Sequence, residues 1–99
     1  AAATPPRIAP SALAARVADP ADPLVVVDVR TAEERAAGVV AGAVTDDTGG
    51  DEVVVYCARG PRADAWAARQ PAGRRVAVLD GGFEAWRREG LPVAIEHRS

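Results

Sequence analysis

Residues 24–29 read Leu-Val-Val-Val-Asp-Val, apolar at consecutive positions and not at alternate ones. A strand with one wet face alternates polar and apolar side chains, so a run that is apolar on both faces belongs to a strand covered on both sides, as in a parallel sheet. Asp28 is the sole interruption, and a carboxyl there demands a partner. Two more short runs, Val53–Tyr56 and Arg75–Leu79, repeat the pattern, and Ile8 opens a very short strand. None approaches the ~20 apolar residues of a membrane span.

Helix signals lie between these runs. Ser11 is read as the N-cap of an alanine-rich helix over 11–18 that carries Leu13 and Val17 on one face and ends before Asp19-Pro20 and Asp22-Pro23. Thr31-Ala-Glu-Glu34 has the form of a capping box and starts a short helix to about Ala37, stopped by Gly38. Pro61 suits the first position of a helix over 61–70 whose Trp66 and Ala67 face the sheet. Asp80-Gly81-Gly82 then turns the chain into a helix over 83–89, with Phe83 and Trp86 one turn apart and Gly90 and Pro92 beyond its end. Strand and helix in alternation predict an α/β fold: a small open, mostly parallel sheet flanked by helices on both faces. Residues 1–7 are expected to be a loose lead-in, and 8–99 a single domain.

Composition removes whole classes of function. All 12 basic residues are arginine, which excludes a lysine Schiff base and a phosphate loop of the GxxxxGK type. A formal charge of −2 argues against general nucleic-acid or anionic-membrane binding. The single cysteine, Cys57, cannot form an internal disulfide, and no Cys/His cluster has zinc-ligand spacing. The cytoplasm is the expected compartment, and because the sequence begins with Ala1, not Met, a periplasmic or exported mature form is left open.

Cys57 is where chemistry concentrates. It follows an apolar strand, and ligands on parallel sheets bind at the carboxyl ends of the strands. After it comes Ala58-Arg59-Gly60-Pro61-Arg62, with a helix N-terminus immediately behind, a geometry that binds anions. The helix half-charge, Arg59 and Arg62 all favour a negative sulfur, so Cys57 is expected to be a nucleophile. Pro61 lacks an N–H, which leaves Ala58, Arg59, Gly60, Arg62 and Ala63 as cradle donors. The bland alternative is that Cys57 is a small buried residue at a strand end, since free cysteine is commonly buried. The one histidine, His97, lies two residues from the C-terminus and is read as a solvated side chain, so no Cys/His pair is expected.

Several segments in order resemble the single-domain rhodaneses, a family of sulfurtransferases. They are Leu24–Arg30 followed by Thr31–Glu34, the Gly42-Ala43 pair, Val54-Val-Tyr-Cys57 with its Cys-x-x-Gly-x-Arg loop, and Val78-Leu-Asp-Gly-Gly-Phe-Glu-Ala-Trp86 ending in Gly90-Leu-Pro92. The resemblance implies that Cys57 takes a sulfane sulfur, becomes a persulfide cradled by the loop amides, and passes the sulfur to cyanide or to a thiol, including one on a protein. It further implies that Arg62, with Arg59, holds a small anionic donor. No metal or organic cofactor is called for, because the sulfur rides covalently on Cys57. Asp28 and Arg30 match the family's Asp-Val-Arg and are read as supporting residues in a structural ion-pair or turn network with Glu33 or Glu34.

The chain departs from the family twice. Val39-Val-Ala-Gly-Ala43 stands where a histidine and a proline are usual, and residues 45–52 (TDDTGGDE) are too few to hold the helix the family places there. The second departure implies either a minimal variant with a more open sheet edge or a sequence lacking a segment. Two rival readings remain. A phosphatase or arsenate reductase with a cysteine loop would use the same cradle, although those relatives carry Cys-x5-Arg where Cys57 to Arg62 is Cys-x4-Arg. A non-catalytic rhodanese-like binding or regulatory module is the other, against which stands the retained cysteine.

Overall fold

Continuous apolar runs become central strands because only a strand with helices on both sides can bury every side chain it carries. The computed structural model describes residues 5–45 and 49–95. Strands β1 (Arg7–Ile8), β2 (Val25–Asp28), β4 (Glu52–Tyr56) and β5 (Arg75–Leu79) form one sheet in the order β1-β5-β4-β2, with every pairing parallel. Helices α1 (Pro10–Val17), α2 (Ala32–Ala36), α3 (Pro61–Ala68) and α4 (Gly82–Arg88) follow the strands in alternation. Among the described residues, no helix is long and apolar enough to cross a membrane.

Side-chain alternation along the strands sorts the core into two layers. Val54, Tyr56 and Leu79 pack with Leu13 of α1 and with Phe83 and Trp86 of α4 on one face. Val55, Cys57 and Val78 pack with Ala63, Trp66 and Ala67 of α3 on the other. The expected two-sided α/β architecture is what the chain adopts, and the alternation is what sends Cys57 toward α3.

Local differences from the sequence reading have physical reasons. Ser11 is not the N-cap of α1; the helix begins one residue earlier, with Pro10 in its first turn and Ala9 as an N-cap that makes no side-chain hydrogen bond. Proline supplies a preset φ, and its missing N–H takes away one of the unpaired donors of the first turn, which favours it at the start of the helix. The third helix ends at Ala68, short of residue 70. The capping box at Thr31 and Glu34 forms in both directions.

An antiparallel ribbon of β3 (Val39–Val40) and β6 (Val93–Ala94) was not anticipated. Two-residue strands are too short to show a period. Val44 adds a bridge along the outer edge of β2, accepting from Asp28 N–H at 2.9 Å and donating to Val26 C=O at 2.8 Å. Of the stretch 45–52, Thr45 and Gly49–Glu52 are described, Glu52 being the first residue of β4, while 46–48 lie outside the described residues, as do 1–4 of the lead-in and His97.

Candidate active site

Cys57 immediately follows β4, a strand flanked on both sides, at its carboxyl end. Two first-turn amides of α4 take hold of the loop that it opens. Phe83 N–H donates to Cys57 C=O at 2.9 Å and Glu84 N–H to Ala58 C=O at 3.1 Å. These are donors that a helix N-terminus otherwise leaves without partners. With its carbonyls committed to α4, the loop returns Gly60 N–H to the Cys57 sulfur at 3.0 Å. Gly60 has φ 149° and is the N-cap of α3, a conformation that suits glycine. Of the five expected cradle donors, Gly60 is the one bonded to the thiol sulfur among the described residues. Arg62 and Ala63 occupy the first turn of α3, whose amides have no acceptor within the helix. The sulfur itself is closed off, with Cys57 only 1% exposed. Cavities of about 230 and 350 Å³ lie elsewhere, around Val25–Val26 and around Arg74–Ala77.

Gly82, read from the sequence simply as part of a turn, proves to be a packing requirement of this loop. A Cβ there would stand 2.5 Å from Ala58 O and 2.7 Å from Cys57 O, and its φ is +65°. Gly82→Ala is therefore expected to push the loop away and to cost more than about 1 kcal/mol. Iodoacetamide should alkylate Cys57 faster in this variant than in the wild type, alongside a lower melting temperature. Equal rates would show that the loop absorbs the methyl group without moving.

The two arginines of the loop are both engaged by carboxylates. Arg62 forms a two-pronged pair with Glu34 of α2, at 2.7 and 2.9 Å. Arg59 pairs with Glu84 of α4. Both pairs are solvent-accessible. The guanidinium of Arg62 lowers the Glu34 carboxyl from 4.5 to about 2, helped by the Thr31 amide. That pair therefore persists at neutral and mildly acid pH and is lost only as pH falls toward 2. Charge from the Cys57 sulfur adds to the hold on Arg62, after the larger effect of Glu34. Neither carboxylate was read from the sequence as a partner of these arginines, because the partners are 28 and 25 residues apart.

Asp28 and Arg30 lie beneath this rim and are buried. Arg30 donates from Nη2 to Asp28 Oδ2 at 2.7 Å, from its backbone N–H to Oδ1 at 2.8 Å, and from Nη2 to Gly38 C=O at 2.7 Å. The network does not use the carboxylates of Glu33 or Glu34; Glu34 enters it through its main-chain carbonyl, at 3.5 Å. Tyr56 completes it, donating to Asp28 Oδ2 at 2.7 Å while accepting from Val40 N–H at 3.0 Å. Burial and then the Asp28 bond push the Tyr56 hydroxyl far up, so it stays protonated. Arg30 also stacks over Phe83, 4.2 Å from the ring centre. These residues fix the end of β2 against β4 and do not touch the sulfur.

The family model described as Rhodanese-like domain matches residues 45–89. A protein named Sulfurtransferase from Allochromatium vinosum is 37% identical over 95 residues, a match that spans 82% of this chain and 87% of that protein. The HTH-type transcriptional regulator Rv0324 of Mycobacterium tuberculosis is 39% identical over 83 residues, or 69% of this chain, and the match covers 36% of the regulator's length. Among solved structures, a thiosulfate sulfurtransferase from Pseudomonas aeruginosa superposes with a TM-score of 0.80 at 22% identity, covering 96% of this chain and 20% of that one. A Rhodopseudomonas palustris protein of unknown function, titled a possible tyrosine phosphatase, superposes with a TM-score of 0.76 at 25% identity, covering 91% and 85% of the two chains.

Proposed function

Because the chain belongs to the rhodanese-like family, we propose that it is a sulfurtransferase carrying a sulfane sulfur on Cys57 between a small sulfur donor and a thiol or cyanide acceptor. The observation that carries this reading is the placement of Cys57. It ends a buried strand, its sulfur accepts a backbone N–H at 3.0 Å, and the first turn of a helix begins beside it.

In the first half-reaction, the Cys57 thiolate attacks the sulfane sulfur of the donor. The donor's S–S bond breaks, and its electron pair leaves with sulfite from thiosulfate or with a thiolate from a thiol persulfide. The enzyme keeps a terminal sulfur as Cys57–S–S⁻. In the second, the acceptor attacks that terminal sulfur and the Cys57 thiolate is released. Cyanide leaves as thiocyanate and a thiol as its persulfide, so charge balances in each step without a metal or organic cofactor. The roles assigned to the protein are modest. The free amides of Arg62 and Ala63 join Gly60 in facing the added anionic sulfur, and the α3 N-terminus stabilises its charge.

A phosphatase reading uses the same cradle, and the Rhodopseudomonas palustris protein of similar fold is described as a possible tyrosine phosphatase. The shorter Cys-x4-Arg loop suits a single sulfur atom better than a phosphate group with its four oxygens. Intact-mass measurement after incubation with thiosulfate, and separately with glutathione persulfide, tests the choice. The expected result is a gain of one sulfur that cyanide removes as thiocyanate. No gain from either donor, together with turnover of p-nitrophenyl phosphate, would replace this reading with the phosphatase one.

A further inference from the structure

The rim around Cys57 carries two arginines and almost no uncompensated positive charge. Arg59 is paired with Glu84 and Arg62 with Glu34. Arg62 is the cation placed to meet a donor, because it lies in the first turn of α3, two residues beyond the Gly60 whose N–H donates to the Cys57 sulfur. Both ends of its fork are already filled by the two oxygens of Glu34, at 2.7 and 2.9 Å. Glu34 is itself fixed. Its Oε1 accepts from Thr31 N–H and from Thr31 Oγ1, each at 3.1 Å, while its own N–H donates to Thr31 Oγ1 at 3.2 Å. The carboxylate is therefore held at the carboxyl end of the sheet, bridging the turn after β2 to the helix after Cys57.

From this geometry we propose that Glu34 is a specificity-determining residue: by occupying Arg62 it disfavours the dianion thiosulfate and selects thiol persulfides as donors. The proposal rests on the sulfurtransferase reading above and deepens it. Thiosulfate brings two negative charges and oxygens that need a bidentate cation, so it must displace Glu34 from Arg62 and leave that carboxylate facing a dianion. At its reacting end a thiol persulfide brings at most one charge, on the sulfur that Cys57 attacks, and no oxygens that compete for the guanidinium fork. The persulfide formed on Cys57 is the same in both cases. The bias acts on donor entry alone, and Glu34 acts through Arg62, as a positioning residue.

Glu34→Gln separates the two roles of the side chain. Glutamine serves in a capping box as glutamate does, so the reach back to Thr31 survives while the charge that holds Arg62 is lost. Steady-state kinetics with thiosulfate and with glutathione persulfide, cyanide being the acceptor, give the ratio of the two kcat/KM values. In Glu34→Gln that ratio should shift about fivefold toward thiosulfate, carried by KM for thiosulfate. Arg62→Gln, which leaves Glu34 unpaired, should shift it the other way. Thr31→Val breaks the cap without freeing Arg62 and should leave the ratio near its wild-type value. A ratio within twofold of wild type in both Glu34→Gln and Arg62→Gln, in enzymes that do load sulfur, overturns the selectivity proposal and spares the sulfurtransferase reading. Failure of the wild type to take sulfur from either donor overturns both.

Discussion

Cys57→Ser is expected to abolish sulfur uptake while leaving the fold intact. The side chain is 1% exposed, and its contacts are Ala63 and neighbouring apolar groups together with one N–H from Gly60. A serine hydroxyl is slightly smaller and can accept the same N–H, so the change in stability should stay within about 1 kcal/mol. Reactivity has no such substitute. The thiolate is the form that attacks a sulfane sulfur, and a serine hydroxyl is ionised to a negligible extent at neutral pH without a paired base. The carboxylates that reach the loop arginines, Glu34 and Glu84, are occupied by Arg62 and Arg59. Intact-mass spectrometry with thiosulfate and glutathione persulfide should therefore show no added sulfur on the variant, and urea unfolding should match the wild type. A sulfur adduct on Cys57→Ser that cyanide removes would place the carrier elsewhere and end the mechanism.

The parts of this architecture that were legible in the sequence are those set by local rules. Runs such as Val53–Tyr56 have to be buried on both faces, and Thr31 and Glu34 are spaced to cap one helix turn. Cys57 is adjacent in sequence to the loop whose Gly60 N–H turns back to its sulfur, so the cysteine and its loop could be read directly. What the sequence hid depends on residues far apart along the chain. Arg59 and Arg62 look like free anion-binding cations until the fold brings Glu84 and Glu34 against them. Tyr56 reads as the last apolar position of a strand, and its hydroxyl acquires a role only when β2 and the turn after it place Asp28 and Val40 within reach. Gly82 shows the same limit, because glycine in a turn and glycine packed under the Cys57 loop are identical as letters. Ser11 failed for a local reason: a good capping residue was outcompeted by the proline beside it.

The network under the site gives the largest expected stability effect. Asp28→Asn removes the one carboxylate that faces Arg30 in a pocket where the two side chains are 1% and 4% exposed. Burial disfavours the Arg30 charge, and the bonds from Asp28 more than offset this, keeping the guanidinium ionised. With asparagine at 28 that cation stays in place, over the Phe83 ring and beside that of Tyr56, without an anion. Breaking a buried pair from one side costs about 3–5 kcal/mol, which for a domain of this size is a fall in Tm of roughly 15 °C or more. Asp28 and Arg30 do not touch the Cys57 sulfur, so the surviving folded enzyme should still load it, at a rate reduced far less than in Cys57→Ser. The double variant Asp28→Asn/Arg30→Met removes the stranded charge and keeps most of the side-chain volume over Phe83. It should recover part of the lost stability, because replacing both members of a buried pair is commonly far milder than removing one. Urea unfolding of the three proteins decides the matter. If the double variant is as unstable as the sum of its single changes, the cost lies in the lost hydrogen bonds to Tyr56 and Gly38, and the buried charge is not what the network balances.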